Sequence, residues 1–419
     1  MAARQRLSRK LALYSVSGLL CAHLAASTAC AQAQGQATSP GTSPAGAPMP
    51  AAAATGGPPG FTPAMLAAMN TRRMVHLTGG LYEVQYGGIN TVQQLVYVTP
   101  QGIILTDTED AQKAQWLKDQ LAHAFPGKPV RYIIMSHWHF DHARGMEIFP
   151  DARVITSDEV LKKIRSLNFR YAPPAGDSID LNGDNKMDHS EAKTSLKGGF
   201  ARLDTNRDGF IEPQEVLAGI RMPDITFTGR KTLTLGGKRV ELIERPGRSG
   251  GVGGMVDSYF PDEKVLFVND YMPPHRVYPA WANFDNAPLS EWIAAIRQLN
   301  SLDYLMYVSA HWENGTHQDL ENFGQLLQDV NSAVLRGVAA GKSLAELQQT
   351  IPPTLDSRYQ EWADYAQNLP ANIAGAYNSL TLYRDCASMG LGLPASKPGP
   401  GVAHGAVCYA GPGNDQSRH

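Results

Sequence analysis

The feature that most restricts what this chain can fold into is the hexapeptide His137-Trp138-His139-Phe140-Asp141-His142, which directly follows the apolar run Val130–Ser136. The run predicts a buried β-strand. Three imidazoles and a carboxylate within six residues are the ligand types that a divalent transition metal prefers. Side chains two apart on an extended segment share a face, so His137, His139 and Asp141 can point into one cavity while His142 addresses a second ion. The alternative, a chance group of surface histidines, is rare in a chain with 12 histidines among 419 residues.

Strand and helix patterns alternate along the rest of the chain. Short apolar or β-branched runs separated by turn sequences predict strands at 81–86, 94–98 and 102–106. The stretch Ala111–Phe125 predicts an amphipathic helix because its apolar residues recur at helical spacing. A second strand-rich block covers 227–268, and helical patterns follow at 289–299 and from Asp319 to about Gly341. Strand–helix alternation in both halves favours an α/β sandwich over a barrel or a helical bundle.

The hexapeptide resembles the H-x-H-x-D-H signature of the metallo-β-lactamase-fold superfamily. Asp107, Asp270 and His311 each end a strand-like run. Asp107 is similar to the family aspartate that supports the metal ligands, and Asp270 is similar to the aspartate that bridges the metal ions. His311 is similar to the family histidine at the end of a later strand. Order and spacing agree from about Leu77 to His317. The resemblance implies an αββα sandwich that holds metal ions at the edge between its two sheets.

The same resemblance implies a ligand set and a role for each member. Asp141 or Asp270 would orient or deprotonate the reacting water, and Asp107 would support the ligands. The expected cofactor is zinc, as one or two ions, with iron as an alternative. The expected metal ligands are His137, His139, Asp141, His142, Asp270 and His311.

One position departs from the family pattern. Arg248 stands where the family has a histidine after the strand-like run Val240–Glu244. Because a guanidinium keeps its proton and offers no lone pair, Arg248 cannot coordinate a metal ion. It can instead donate to an anionic substrate group, and His275 is a candidate substitute ligand. The first site then keeps His137 and His139 with Asp270 shared, and the second keeps Asp141, His142, Asp270 and His311.

Two twelve-residue segments between the halves resemble a paired EF-hand. Oxygen side chains at positions 1, 3, 5, 9 and 12, with a backbone carbonyl at position 7, suit seven-coordinate calcium. The sixth position requires a positive φ, which Gly209 adopts freely and Asn185 at some cost, and the apolar eighth residues Met187 and Ile211 would pair the loops. An acidic surface loop remains an alternative for the first segment. The expected ligands of one or two calcium ions are Asp180, Asn182, Asp184, Lys186, Asp188 and Glu191, and Asp204, Asn206, Asp208, Phe210, Glu212 and Glu215.

The two loops begin so close together that one helix, within Glu191–Leu203, must leave the first and enter the second. The pair predicts a compact insertion, residues 173–221, near the rim of the metal site. It separates residues 61–172 from residues 222–345, the two halves of the sandwich, and a helical extension with a loose tail follows at 346–419. Calcium can either gate substrate access or rigidify the insertion. Rigidification is favoured because extracytoplasmic calcium keeps weak sites occupied.

The N-terminus predicts export. A basic start, an apolar run and a small-residue cleavage sequence around Cys30 are typical of a secretory signal over residues 1–31. The Ala-, Pro- and Gly-rich leader, residues 32–60, has no charged or aromatic side chain and predicts disorder. We therefore expect a periplasmic or secreted protein, with a lipoprotein as an alternative. In an oxidising compartment Cys386 and Cys408, left after signal removal, are expected to form a disulfide.

The net charge and the family resemblance together reduce the number of possible functions. With 37 basic and 39 acidic residues, the chain has a formal charge of −2, which argues against nucleic-acid binding and a polybasic membrane surface. The resemblance implies a hydrolase, in which a metal-bound hydroxide attacks an ester, thioester, lactone or lactam bond of a small-molecule substrate. A one-metal iron oxygenase and a binding module whose site has decayed at Arg248 remain alternatives. The oligomeric state is left open.

Overall fold

The structure, a computed structural model, describes residues 72–86, 92–167, 182, 184–192, 200–245, 253–270, 272–278 and 289–382. The signal and leader predictions, Asp180, Arg248 and the predicted disulfide lie outside these residues. Among the described residues, no helix combines the length and apolar character needed to cross a membrane.

The first sheet contains, in spatial and chain order, β1 (Arg72–Thr78), β2 (Leu81–Tyr86), β3 (Gln94–Thr99), β4 (Gly102–Thr106), β5 (Val130–Ile134), β6 (Arg153–Ser157) and β7 (Ile225–Phe227). Its first four strands pair antiparallel. From β4 onwards the neighbours pair parallel, which brings their C-terminal ends to one edge.

The second sheet contains β8 (Arg230–Leu235), β9 (Lys238–Glu244), β10 (Val256–Phe260), β11 (Val265–Val268), β12 (Met306–Ser309) and the short β13 (Gly315–Thr316). Pairing is antiparallel except between β11 and β12, which run parallel. The described helices are α1 (Ala111–Ala124), α2 (Phe140–Ala143), α3 (Asp158–Arg165), α4 (Phe200–Leu203), α5 (Pro213–Val216), α6 (Leu289–Asn300), α7 (His317–Ala339), α8 (Leu344–Thr350), α9 (Pro352–Tyr359) and α10 (Tyr365–Leu382).

The sheets pack face to face with helices on both outer sides, which is the predicted α/β sandwich. Ile104 of β4 packs between the sheets, whereas its neighbours Ile103 and Leu105 face α1 on the outside, as the two-residue period of a strand requires. On the other side, Leu266 and Val268 of β11 pack against α6, α7 and the C-terminal helices. A strand buried on both faces in this way is apolar throughout.

Most predicted elements are confirmed to within one or two residues at each end. The strand predicted over Val130–Ser136 ends earlier, at Ile134, because the backbone N–H of Ser136 donates to the side chain of Asp107 instead of to a strand. The strand β1 was not predicted, since none of its residues is buried and its sequence has no apolar alternation. The predicted insertion lies between α3 and β7 and leaves the parallel pairing of β6 with β7 intact.

Candidate metal centre

Four strand ends converge at one edge of the sandwich. β4 and β5 are parallel neighbours in the first sheet, and β11 and β12 are parallel neighbours in the second. Their C-terminal ends deliver to this edge Asp107, the segment Ser136–His139, Asp270 and His311. The crevice beyond the carboxyl ends of parallel strands is where α/β proteins usually bind ligands.

Asp107 and Asp270 both adopt left-handed backbone conformations, with φ of 53° and 38°. This region costs a non-glycine residue on the order of 1 kcal/mol or more, although aspartate tolerates it better than most. Backbone strain of this kind tends to occur at functional sites. Here it coincides with two of the carboxylates that contact the histidines.

His137, His139 and Asp270 form what we call the first cluster, with one ligand atom from each lying within 4.8 Å of the others. Nε2 of His137 is 3.2 Å and Nδ1 of His139 is 4.0 Å from Oδ2 of Asp270. His137 and Asp270 are buried, but the side chain of His139 keeps 26% of its exposure. The first cluster therefore opens to solvent beside His139.

Asp141, His142 and His311 form the second cluster, again with ligand atoms within 4.8 Å of one another. Nε2 of His142 is 3.0 Å and Nε2 of His311 is 3.1 Å from Oδ1 of Asp270. Oδ2 of Asp141 is 3.6 Å from Nε2 of His311. Asp141 is 25% exposed, so the second cluster is also accessible from outside.

Each carboxylate oxygen of Asp270 faces a different cluster. Both oxygens, and Nε2 of His137, are buried without a hydrogen bond of acceptable geometry among the described residues. Burying a charged carboxylate without compensation is costly, and bound cations remove that cost. Imidazole and carboxylate ligands suit zinc or ferrous iron. The residues of the two clusters therefore fit transition-metal ions such as zinc or iron.

Asp107 and Ser136 support the buried histidines from behind. Asp107 Oδ2 lies 2.9 Å from Nδ1 of His142, and the hydroxyl of Ser136 lies 2.9 Å from Nδ1 of His137. Ser136 also donates its backbone N–H and its hydroxyl to Asp107, each at 2.8 Å. Contacts at Nδ1 leave Nε2 of each ring as the ligand atom. The supporting role expected for Asp107 has a geometric basis here, whereas Ser136 was missed.

A second network that was missed lies under Asp270. Arg245, 2% exposed, donates from Nε to the fully buried Asp257 at 2.9 Å and from Nη2 to the carbonyl of Asn269. Asp257 accepts the backbone N–H of Asn269 at 2.9 Å, and Asn269 Nδ2 donates to the carbonyl of Val256 at 2.6 Å. These bonds fix the residue that precedes Asp270. The pairing depends on the register of β9 with β10, which no local pattern encodes.

The electrostatics favour a neutral His137 beside an ionised Asp270. Burial lowers the pKa of His137 to about 3, and the neighbouring His142 adds to the effect. Burial opposes ionisation of Asp270, but His142, His137 and His311 hold the pKa of this carboxyl well below its usual range. Burial also opposes the charged form of His142, yet Asp270, Asp141 and Asp107 raise the pKa of that ring. A metal ion binding at His142 must therefore displace a proton.

The family comparison agrees with this geometry. Residues 105–311 match the metallo-beta-lactamase superfamily and include the hexapeptide and every predicted transition-metal ligand. The chain carries a metallo-beta-lactamase superfamily domain. The predicted fold and family resemblance are thereby confirmed at the level of this domain.

Individual relatives of the metallo-beta-lactamase domain are distant. The 2,4-dinitroanisole O-demethylase subunit alpha of Nocardioides sp. (strain JS1661) is 24% identical over 245 residues, which are 57% of this chain and 58% of that protein. The stereoselective inverting sec-alkylsulfatase Pisa1 from Pseudomonas sp. superposes with a TM-score of 0.52 at 15% identity, over 76% of this chain and 54% of that one. A metallo-beta-lactamase from Pontibacter korlensis superposes with a TM-score of 0.43 at 19% identity, over 62% and 99%. The chain thus spans little more than half the length of the first two proteins.

Within the metallo-beta-lactamase domain, the extended-segment prediction holds for His137 and His139 and is wrong for Asp141. Asp141 lies in the helical turn α2 and joins His142 in the second cluster. His275, the candidate substitute ligand, belongs to neither cluster. Its Nδ1 lies 3.4 Å from Asp319, and its side chain is 58% exposed.

The two predicted calcium loops share one backbone pattern. Met187 and Ile211 exchange two backbone hydrogen bonds of 3.0 and 2.8 Å, as expected of paired eighth residues. The sixth residues, Asn185 and Gly209, have the expected positive φ of 62° and 90°. In each loop the twelfth residue, Glu191 or Glu215, accepts the backbone N–H groups of the third and ninth residues. The calcium ligands remain a prediction.

Proposed function

We propose that this domain is a metal-dependent hydrolase that holds two transition-metal ions, zinc or iron, between His137, His139, Asp141, His142, Asp270 and His311. The observation that carries the proposal is that the two buried oxygens of Asp270 each face a separate cluster. With Asp270 shared, the first cluster offers three protein groups and the second offers four, and catalytic zinc sites commonly have three protein ligands and one open position. The loss of the family histidine at Arg248 therefore does not empty the first site.

Some residues of the site would hold the metal ions, and others would position the reacting water. A divalent ion bound here supplies Lewis acidity, which lowers the pKa of a water towards 7 and polarises an electrophile. Asp141 is a partly exposed carboxylate at the opening. Burial opposes its ionisation, but His142 and His311 hold its pKa below the usual value. It can therefore accept a hydrogen bond from the attacking water at neutral pH and orient it. His137, His142 and Asp270 are buried and exclude bulk water from the floor of the site.

We infer that the substrate is a small molecule with an ester, thioester, lactone or lactam bond. The entrance lies beside His139 and Asp141, the two partly exposed ligands. We propose Arg248 as a donor to an anionic substrate group, because guanidinium groups bind carboxylates and phosphates through paired hydrogen bonds. Aryl methyl ethers belong on the same substrate panel, since the name of the Nocardioides relative includes an O-demethylase.

We further propose that the insertion binds calcium through its two loops and that the protein is exported. Support for calcium is the spacing of the oxygen side chains together with the shared backbone pattern of the two loops. Support for export is the signal-like N-terminal sequence alone. N-terminal sequencing of the protein recovered from culture medium or periplasm tests export, and an intact Met1 in the cytosolic fraction contradicts it.

Turnover of the substrate panel by metal-loaded protein tests the proposed hydrolase. We expect Asp141→Asn to lower kcat about 100- to 10,000-fold, and the exposed Asp119→Asn on α1, with the same charge change, to leave it unaltered. Bound iron with oxygen consumption would identify an oxygenase instead. Metal-loaded protein that turns over nothing, but gains hydrolysis in the Arg248→His variant, would identify a decayed site.

A further inference from the structure

The residues of the ligand loop, which we define as residues 137–144, face two ways. His137, His139 and Asp141 lie in the metal clusters, whereas the intervening Trp138 and Phe140 pack against a separate apolar core, and Trp138 also contacts the outer core of the first sheet. That core is made of buried side chains from the insertion, namely Met187, Ala192, Phe200, Leu203, Ile211 and Val216. A single short segment therefore contacts the metal clusters on one side and the interior of the insertion on the other.

Arg144 joins the same loop to the second predicted calcium loop by hydrogen bonds. Its Nε donates to the carbonyl of Ala218 and its Nη2 donates to the carbonyl of Glu215, both at 2.9 Å. Glu215 is the twelfth residue of that loop, and its carboxylate accepts backbone N–H groups from Thr205, Asn206 and Glu212. Arg144 is thus bonded to the backbone of the residue whose side chain closes the calcium loop.

A backbone contact reinforces this connection. Gly219 has a φ of +79°, and a Cβ at this position would lie 2.5 Å from the carbonyl oxygen of Arg144. The two backbones are therefore in van der Waals contact with no room between them. Because packed interiors transmit displacement and do not absorb it, a shift of residues 215–219 must move Arg144.

We propose that Arg144 is a positioning residue that couples the second calcium loop to the metal clusters, so that calcium binding raises the affinity of the clusters for transition metal. The inference rests on the proposed calcium and transition-metal sites. When Glu215 is held by a bound cation, the bonds to Arg144 and the core beneath Trp138 and Phe140 order the ligand loop. An ordered loop binds metal without a further ordering cost.

Thermodynamic linkage makes the coupling reciprocal. If calcium raises the affinity for a transition metal by a given factor, the transition metal raises the affinity for calcium by the same factor. The typical range for such coupling between sites is about 5- to 150-fold. A merely structural contact by Arg144 would change both affinities without linking them.

The experiment measures zinc affinity of the metal-stripped full chain with a calcium-insensitive zinc indicator, with and without calcium at constant ionic strength. We expect calcium to tighten zinc binding within the range of about 5- to 150-fold. Arg144→Met should remove most of this difference, and Arg144→Lys, which keeps a charged donor, should retain part of it. The exposed Arg165→Met on α3 is the matched control and should keep the full difference.

Two further readouts separate coupling from folding. Calcium should slow hydrogen exchange of residues 137–144 in the wild-type chain and not in Arg144→Met. Glu215→Gln should show the zinc affinity of calcium-free wild-type protein at every calcium concentration. If calorimetry shows that calcium binds but zinc affinity is equal with and without it, the coupling is overturned. The proposed calcium and transition-metal sites would not be affected by that result. The coupling is also overturned if the chain does not bind calcium. It is overturned as well if Arg144→Met weakens zinc binding equally with and without calcium.

Discussion

Oδ2 of Asp107 lies 2.9 Å from Nδ1 of His142, and both side chains are fully buried. This contact holds the ring with Nε2 directed at Asp270 and His311, from which it lies 3.0 and 3.2 Å. A carboxylate behind a ligating imidazole fixes the orientation of the ring and increases its basicity.

We expect Asp107→Asn to weaken zinc binding by about 10- to 100-fold, because an amide holds the imidazole N–H less strongly than a carboxylate does. Competition with a zinc chelator measures the change. Asp119→Asn, which alters an exposed carboxylate of α1, should bind zinc like the wild type. Unchanged affinity in Asp107→Asn would show that the contact does not tune the second cluster.

We expect Arg245→Met to lower the free energy of unfolding by about 3–5 kcal/mol, because it leaves the buried Asp257 without its cation. Urea titration measures the loss. The matched control is Arg239→Met on β9, where the side chain is 53% exposed and pairs with Asp262 at 3.6 Å; such a surface pair contributes about 0–1 kcal/mol. Equal stability of the two variants would rule out a structural role for the Arg245 network.

Burial raises the pKa of Glu109 to about 7, and the ion pair with Lys113 opposes the shift only in part. Because the folded-state pKa exceeds the ordinary value of 4.5, stability is highest when Glu109 is protonated and falls as the pH rises from about 4.5 to 7. The fall amounts to about 3.5 kcal/mol at most, from about 1.4 kcal/mol for each pKa unit.

In the variant Glu109→Gln, the free energy of unfolding should not show this fall with rising pH. Urea titrations between pH 5 and 8 on chelator-treated protein give the slope of stability against pH, without added charge from bound cations. The exposed Glu147→Gln should keep the wild-type slope. Parallel curves for wild type and Glu109→Gln would contradict the prediction.

Calcium should raise the unfolding temperature of the full chain, since an ion that binds only the folded state adds about 2.7 kcal/mol at a concentration 100 times its Kd. Glu215→Gln should lose more of this shift than Glu191→Gln. The reason is that the second loop has Gly209 at its positive-φ position, whereas the first has Asn185. Thermal denaturation with and without calcium provides the measurement, and a calcium-independent unfolding temperature would remove the calcium proposal.

The sequence predicted the parts of this molecule that local patterns encode. Strand–helix alternation predicted an α/β sandwich. The family resemblance carried by the hexapeptide and by the aspartates and histidine at strand ends implied its αββα layers and its metal ligands. The direction in which each side chain of the hexapeptide points was predictable only in part. The helix α2 begins after His139 without a capping side chain, so no signal marked the change from extended to helical geometry before Asp141.

Contacts set by tertiary packing were not predictable. Arg245 meets Asp257 only through the antiparallel register of β9 and β10, and Ser136 meets Asp107 only because β4 and β5 lie side by side. The position of Trp138 and Phe140 against the insertion likewise depends on where residues 173–221 return to the sheet. Alternation within the hexapeptide shows which side chains point in opposite directions, but it does not show which residues each side chain contacts.

The central proposal is that Asp270 would serve as a ligand to a metal ion in each of the two clusters. Its most direct test is the transition-metal content of the purified protein by elemental mass spectrometry, with calcium counted alongside. We expect close to two zinc or iron ions per chain, with metal lost from both clusters in Asp270→Ala because each of its oxygens faces one of them. One transition-metal ion or none in the wild-type chain, or an Asp270→Ala variant that keeps its full metal content, would contradict the bridged pair.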